Sequence, residues 1–315
     1  MKQGLSKLFS LIAISATLLA APAPALSAVS EPVKVVASFS ILADMVRQVG
    51  GDEVVVTSLV GPDEDAHVFD PSPADAKALA QADIVVINGL GFEGWIDRLV
   101  KSSGFKGKLV VATKGIKPIK AAKSDGHDHD QHDHGKHDHG DFDPHAWQDL
   151  RNGKVYVRNI SEALIQAKPS AKAAIEGRTA QYLAEIDALD QLIRTRLADI
   201  PRKDRRVIAS HGAFDYFGKA YGVTFFSLQG WTTEREPSAA DIARLIREIK
   251  HDNVRALFVE NMSDPRLLKR ISEETGVKIG GELYSDALSA PGTAADTYLK
   301  MFAHNADLIW QTLQQ

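Results

Sequence analysis

Between Ser170 and Ile200 the chain reads SAKAAIEGRTAQYLAEIDALDQLIRTRLADI, and Leu183, Ile186, Leu189, Leu192, Ile193 and Leu197 recur at helical spacing until Pro201 ends the run. The pattern predicts one long helix of roughly 45 Å at about 1.5 Å per residue. An element of that length is a stiff spine able to pass along two lobes and not a flexible hinge. It constrains the rest of the chain to two units, a first lobe over 29–168 and a second over 202–315, with the helix at 169–201.

Both flanks carry the same rhythm. Before the spine come the apolar strand VKVVAS, a helix near 41–49, the strand EVVVTSLV, a loop GPDEDAHVFDP and the helix PADAKALA. Ser72 is placed to cap that helix, Pro73 suits its first turn and Asp75 complements its dipole. The strand ADIVVIN, a helix around 95–100 and the strand KLVVAT follow, and a further helix is expected near 152–167. After the spine come RRVIAS, a helix from about Ala213, VTFFSL, DIARLIREIK, RALFVE, PRLLKRISEET, VKIG and a terminal helix from about Thr293. Short apolar strands alternating with helices predict an α/β fold in which each lobe is a mainly parallel sheet covered by helices. In such sheets ligands bind beyond the carboxyl ends of the strands, which between two facing lobes is the cleft.

The residues 117–142 break the rhythm with Asp, Gly and His and predict a mobile surface loop. Gly126 to Asp149 hold seven of the chain's eleven histidines, and His127, His129, His132, His134, His137 and His139 sit two or three residues apart among aspartates. Imidazole with carboxylate suits zinc and its first-row neighbours. The N-terminus has Lys2 and Lys7, an apolar run from Leu8 to Ala21 and then small residues and prolines. This reads as a secretory signal over 1–28, cleaved after Ala25, Ser27 or Ala28, because the run is shorter than the roughly 20 residues that span a bilayer. The chain has no cysteine, which excludes disulfides, thiolate metal sites and a lipid-modified cysteine. A soluble, unanchored protein of the periplasm is therefore expected. A formal charge of -4 and a pI near 6.3 leave no basic field for nucleic acid.

Catalytic motifs are scarce. Gly89, Gly91 and Gly94 in GLGFEG follow a strand and precede a helix, but no acidic residue ends the next strand, so a glycine-bearing turn is the better reading than a dinucleotide site. There is no G-x-S-x-G elbow and no HExxH helix. The informative phrases are Asp65-Ala66-His67-Val68-Phe69-Asp70 and Asp143-Pro144-His145-Ala146-Trp147-Gln148, with a third histidine in Ser210-His211-Gly212 after RRVIAS and a carboxylate in Tyr284-Ser285-Asp286. All four groups fall at expected strand-end loops, two from each lobe, and three imidazoles with one carboxylate make a tetrahedral set for zinc. A filled tetrahedron holds an ion without activating water, which argues against a hydrolase. Asp65 and Asp143 either orient the imidazoles or form loop turns, Glu260 is a candidate cleft neighbour, and His251 and His304 stay outside the site.

The stretches VVASFSILADMVRQVGGDEVVV, DAHVFDPSPAD, DPHAWQD, SHGAFDYF, EREPSAADI, LFVENM and LYSDALS resemble the metal-binding solute-binding proteins of bacterial ABC importers, in particular the high-affinity zinc uptake branch of the manganese and zinc family. The resemblance covers essentially the whole mature chain. It implies two lobes joined by a long backbone helix with the metal between them, and it matches His67, His145, His211 and Asp286 to the family's ligands. Ala66 stands where the family usually has proline and Asp70 where it has glutamate. Manganese-type members carry glutamate at the place of His211, so histidine there favours Zn2+ over manganese or iron. The implied role is capture of Zn2+ and delivery to a membrane permease driven by an ATPase, as a monomer, with a periplasmic zinc chaperone as a further candidate partner. The crowded loop histidines would be an auxiliary low-affinity collector, or a solvated linker.

Overall fold

The strand Val33–Phe39 (β1) is buried along nearly its whole length, which only a strand covered on both faces requires of a sequence such as VKVVASF. It comes from a computed structural model that describes residues 31–120 and 141–315. The expected signal segment and the six crowded histidines lie outside the described residues. Around β1 the strands Val54–Val60 (β2), Ile84–Ile87 (β3) and Lys108–Val111 (β4) form a parallel sheet in the order β2-β1-β3-β4. The edge strand β2 alternates half-buried and exposed side chains, with Val55 on its open side, whereas central β3 is wholly buried.

The helices are placed by local chemistry. Helix Ser40–Gly50 (α1) leaves β1 directly. Helix Pro73–Ala80 (α2) begins with the expected cap: the Ser72 hydroxyl accepts from the Asp75 amide and the Asp75 carboxylate accepts from the Ser72 amide. Helix Ile96–Ser103 (α3) precedes β4, and Leu150–Ala167 (α4) is capped by Asp149. The spine is Lys172–Ala198 (α5), which buries Ile175, Thr179, Tyr182, Ile186, Ile193 and Leu197 at helical spacing.

The second lobe repeats the plan. Strands Arg206–Ala209 (β5), Thr224–Ser227 (β6), Ala256–Glu260 (β7) and Ile279–Leu283 (β8) are parallel in the order β6-β5-β7-β8. Helices Asp215–Tyr221 (α6), Ala239–His251 (α7), Arg266–Thr275 (α8) and Tyr298–Leu313 (α9) cover them. Ser238 and Asp241 make a second reciprocal cap at the start of α7. The terminal helix begins later than the sequence suggests, at Tyr298, because Thr297 caps it and its first amide donates to the buried Asp44 carboxylate of α1. A single apolar core runs from the first sheet past α5 and α9 to one face of the second sheet, and a smaller one lies on the other face beneath α7 and α8.

The spine touches both lobes through two arginines. Arg178 donates to the carbonyls of Val49 and Gly50 at the end of α1, and Arg194 donates to the carbonyl of Ala220 near the end of α6. Each guanidinium satisfies carbonyls that a helix end leaves free. The two α/β lobes, the long helix between them in the chain and the strand ends turned toward one cleft are the architecture read from the sequence.

Candidate metal centre

His67, His211 and Asp286 follow the carboxyl ends of β2, β5 and β8, where the backbone must turn and a side chain is free to point across the cleft, whereas His145, expected at a strand end, lies 34 residues beyond β4 and directly before a 3-10 turn. His67 lies on the loop between β2 and α2. There the Asp65 carboxylate accepts from the His67 amide at 2.9 Å, and the Trp95 indole donates to the Ala66 carbonyl at 2.8 Å. The loop with alanine in place of proline is thus fixed by these two bonds. His145 precedes a single 3-10 turn, Ala146–Gln148, and both its amide and its Nδ1 meet Asp143 Oδ1, at 2.9 and 2.8 Å. His211 follows β5, and Glu260 at the end of β7 accepts from its amide at 2.9 Å and from Nδ1–H at 2.6 Å. The Ser285 hydroxyl donates to the same Glu260 oxygen at 2.6 Å, which ties β8 and the adjacent Asp286 to the His211 brace.

A carboxylate on Nδ1 fixes the tautomer, because Nδ1 then carries the proton and Nε2 presents its lone pair. The Nε2 atoms of His145 and His211 face one another at 3.4 Å. Asp286 sits between them and His67: its Oδ2 is 3.2 Å from His67 Nε2 and 3.2 Å from His211 Nε2, and its Oδ1 is 3.6 Å from His145 Nε2. Both Asp286 oxygens and His67 Nε2 are buried with no hydrogen-bond partner among the described residues. All four ligand atoms lie within 4.8 Å of one another. Opposed lone pairs and an unbonded buried carboxylate are costly unless a cation stands between them. Spacings of 3.2 to 3.6 Å between the carboxylate and the three nitrogens leave room for one metal ion held by three nitrogens and one oxygen.

The electrostatics agree. Burial disfavours the charged form of His145, yet the Asp286 and Asp143 carboxylates outweigh it and raise its pKa to about 9. His211 is raised well above its ordinary value against the same burial, by Glu260 and Asp286. Asp286 is itself held well below the usual carboxylate range, since the two histidines outweigh a burial that would raise it. Without a metal, this arrangement binds protons instead.

The two aspartates left open by the sequence divide. Asp143 both turns its loop and orients an imidazole, whereas Asp65 bonds only the His67 backbone and turns its other oxygen to the Thr233 hydroxyl of the second lobe at 2.6 Å. Glu260 is a neighbour behind His211, not a member of the ligand set. Trp147 and Gln148 both donate to the Ser285 carbonyl at 2.9 Å, and Tyr216 donates to the Asp143 carbonyl at 3.1 Å, so further bonds cross the cleft beside the ligands. Trp147, Gln148 and Tyr216 lie in phrases singled out in the sequence, but their bonds across the cleft had no signal there. The GLGFEG turn wraps inward: the Glu93 carboxylate accepts from the Ser38 hydroxyl and from the amides of Asn88 and Gly89, so amides that would cradle a pyrophosphate are already taken. His251 is exposed at the end of α7 beside Asp252, and His304 Nε2 meets the Glu282 carbonyl, both away from the four.

Similar proteins fit this geometry. Residues 35–312 match the family described as zinc-uptake complex component A, periplasmic. The manganese-binding lipoprotein MntA of Halalkalibacterium halodurans is 31% identical over 285 residues, 90% of each chain. The iron ABC transporter substrate-binding lipoprotein MtsA of Streptococcus pyogenes is 33% identical over 291 residues, 91% of each. The solved structure of the periplasmic zinc binding protein TroA from Treponema pallidum has a TM-score of 0.81 and 27% identity, covering 90% of this chain and 99% of that one.

The relatives also correct one expectation. MntA and MtsA are named lipoproteins, which are lipid-anchored at the membrane, and the expectation of an unanchored protein does not stand. Absence of cysteine removes one attachment chemistry from the residues given, and that was too narrow a basis for a protein free of the membrane. The family is a substrate-binding component, not an enzyme, and such components work with a membrane permease and an ATPase. With its family match over residues 35–312 and the cleft geometry above, the chain belongs to the periplasmic metal-binding components of ABC importers described as zinc-uptake complex component A.

Proposed function

We propose that the chain binds one zinc ion between its lobes through His67, His145, His211 and Asp286 and hands it to the permease. The observation that supports this most is the convergence of three Nε2 atoms on one unbonded buried carboxylate at 3.2 to 3.6 Å. Three imidazoles favour zinc, and a fourth protein ligand fills the position a catalytic zinc leaves for water. The second reading is manganese or iron, favoured by the names of MntA and MtsA. In the zinc scheme the chain acts as a monomer, and a periplasmic chaperone is a candidate donor of the ion.

Elemental analysis of protein purified without added metal separates the readings. Zinc at one equivalent in the wild type and its loss in His211→Ala supports zinc, and manganese or iron in its place overturns that choice. The histidines His127, His129, His132, His134, His137 and His139 are proposed as an auxiliary collector. Deleting residues 126–140 should then lower zinc stoichiometry or transfer rate, and no change in either would leave a solvated linker.

A further inference from the structure

Of the four ligand candidates, His67 alone lines a hollow beside the centre. It is 8% exposed, whereas His145, His211 and Asp286 are at 0%. A cavity of about 450 Å³ opens between first-lobe loops and the second-lobe segment 231–234, and His67 lies in its wall. Phe92, Trp95, Phe142 and Trp231 give the cavity aromatic sides, and its charged lining is Arg98 and Glu234. Arg98 has no hydrogen bond or ion pair among the described residues. Asp70 shares an adjoining hollow with it and forms no ion pair with it.

An unpaired guanidinium is out of place on the path of a bare divalent cation, which it repels. The contradiction disappears if the ion arrives clothed in carboxylates, because such a complex is neutral or negative. We propose that this cavity is a vestibule for a small carboxylate chelate of the metal, with a carboxylate on Arg98 and the metal toward His67. The inference rests on the zinc-binding reading above. The volume falls in the range of sites that enclose small molecules, the guanidinium fork matches a carboxylate, and aromatic walls cover a short carbon skeleton. The ion passes inward by ligand exchange: each metal–carboxylate bond breaks as a bond to His67, then to His145, His211 or Asp286, forms. The chelator leaves with its carboxylates intact, protons on the imidazoles go to solvent, and no electron moves.

Stopped-flow loading of the full metal-free chain tests this, with zinc citrate and zinc chloride as donors at matched free zinc. Arg98→Gln should slow loading from zinc citrate about tenfold, the size of one charge-assisted hydrogen bond, while loading from zinc chloride is unchanged or faster. Final zinc stoichiometry stays at the wild-type value. Arg98→Lys, which keeps the charge but not the fork, falls between. Equal slowing from both donors, or no slowing from citrate, overturns the vestibule. A wild-type chain that takes up zinc from neither donor overturns the metal-site reading, and the vestibule with it.

Discussion

In the second lobe, His211 and Asp286 leave strand ends and are tied together by Glu260, which accepts from the His211 amide and ring and from the Ser285 hydroxyl. In the first lobe His145 has a similar brace in Asp143, but His67 rides on a loop with the Phe92 ring packed T-shaped against its own, and no carboxylate bonds its ring from behind among the described residues. The two sheets have the same strand order, so the difference does not come from architecture. It comes from what stands behind each imidazole. A braced imidazole holds its lone pair in place before the ion arrives, and one that leans on a ring at the cavity wall can be the first to take the ion and the last to release it.

The comparison is most sharply tested by pH, which acts on the braced pair. With the His145 pKa at about 9 and His211 raised as well, the metal must displace protons throughout the neutral range. Zinc affinity should therefore fall roughly 500-fold between pH 9 and 6 for the His145 proton alone, a fall that begins well above the ordinary histidine value near 6.5. Competition titrations against a chelator of known pH dependence measure it. The metal-free protein should do the opposite. Folding raises these pKa values, so the protonated histidines stabilise the chain in full below about 6.5 and that stability is lost as pH rises through about 9.

Removing the shared ligand comes next. Asp286→Ala should cost roughly several hundredfold in zinc affinity, about a quarter of the roughly 10–16 kcal/mol that four ligands supply. His67→Ala should cost about tenfold less than Asp286→Ala, because water can enter at the cavity and complete the tetrahedron. Equal losses would erase the distinction between braced and leaning ligands. Glu260→Gln should weaken zinc about tenfold to a hundredfold by loosening His211 and leave the stoichiometry at one. The smallest effect belongs to the bond across the cleft from Thr233 to Asp65: Thr233→Val should speed zinc release about fivefold, the kinetic equivalent of one hydrogen bond of about 1 kcal/mol.

What the sequence showed and hid follows from range. The Ser72 cap was legible because Ser72 and Asp75 lie within one turn, and the spine because its apolar spacing is its own record. The four ligand candidates were marked by their histidine and aspartate phrases and by resemblance, although His145 does not sit at a strand end. The Asp143 brace lay within reach, two residues from His145, and Glu260 was marked as a cleft neighbour, but that Glu260 braces His211, 49 residues away, and that Thr233 meets Asp65, 168 away, comes only from the pairing of strands and the meeting of lobes. The GLGFEG turn was read through its glycines, yet its organising residue is Glu93, a buried acid whose pKa burial raises. Likewise the start of α9 is set by Asp44, which lies 254 residues away.

The central claim is that three imidazoles and one carboxylate from two lobes hold a single zinc ion. X-ray absorption at the zinc edge of the loaded protein tests it most directly. The account predicts four light donors at about 2.0–2.1 Å with outer-shell scattering from three imidazoles, reduced to two in His145→Ala. A six-coordinate oxygen-rich shell, or a spectrum that His145→Ala leaves unchanged, would contradict it.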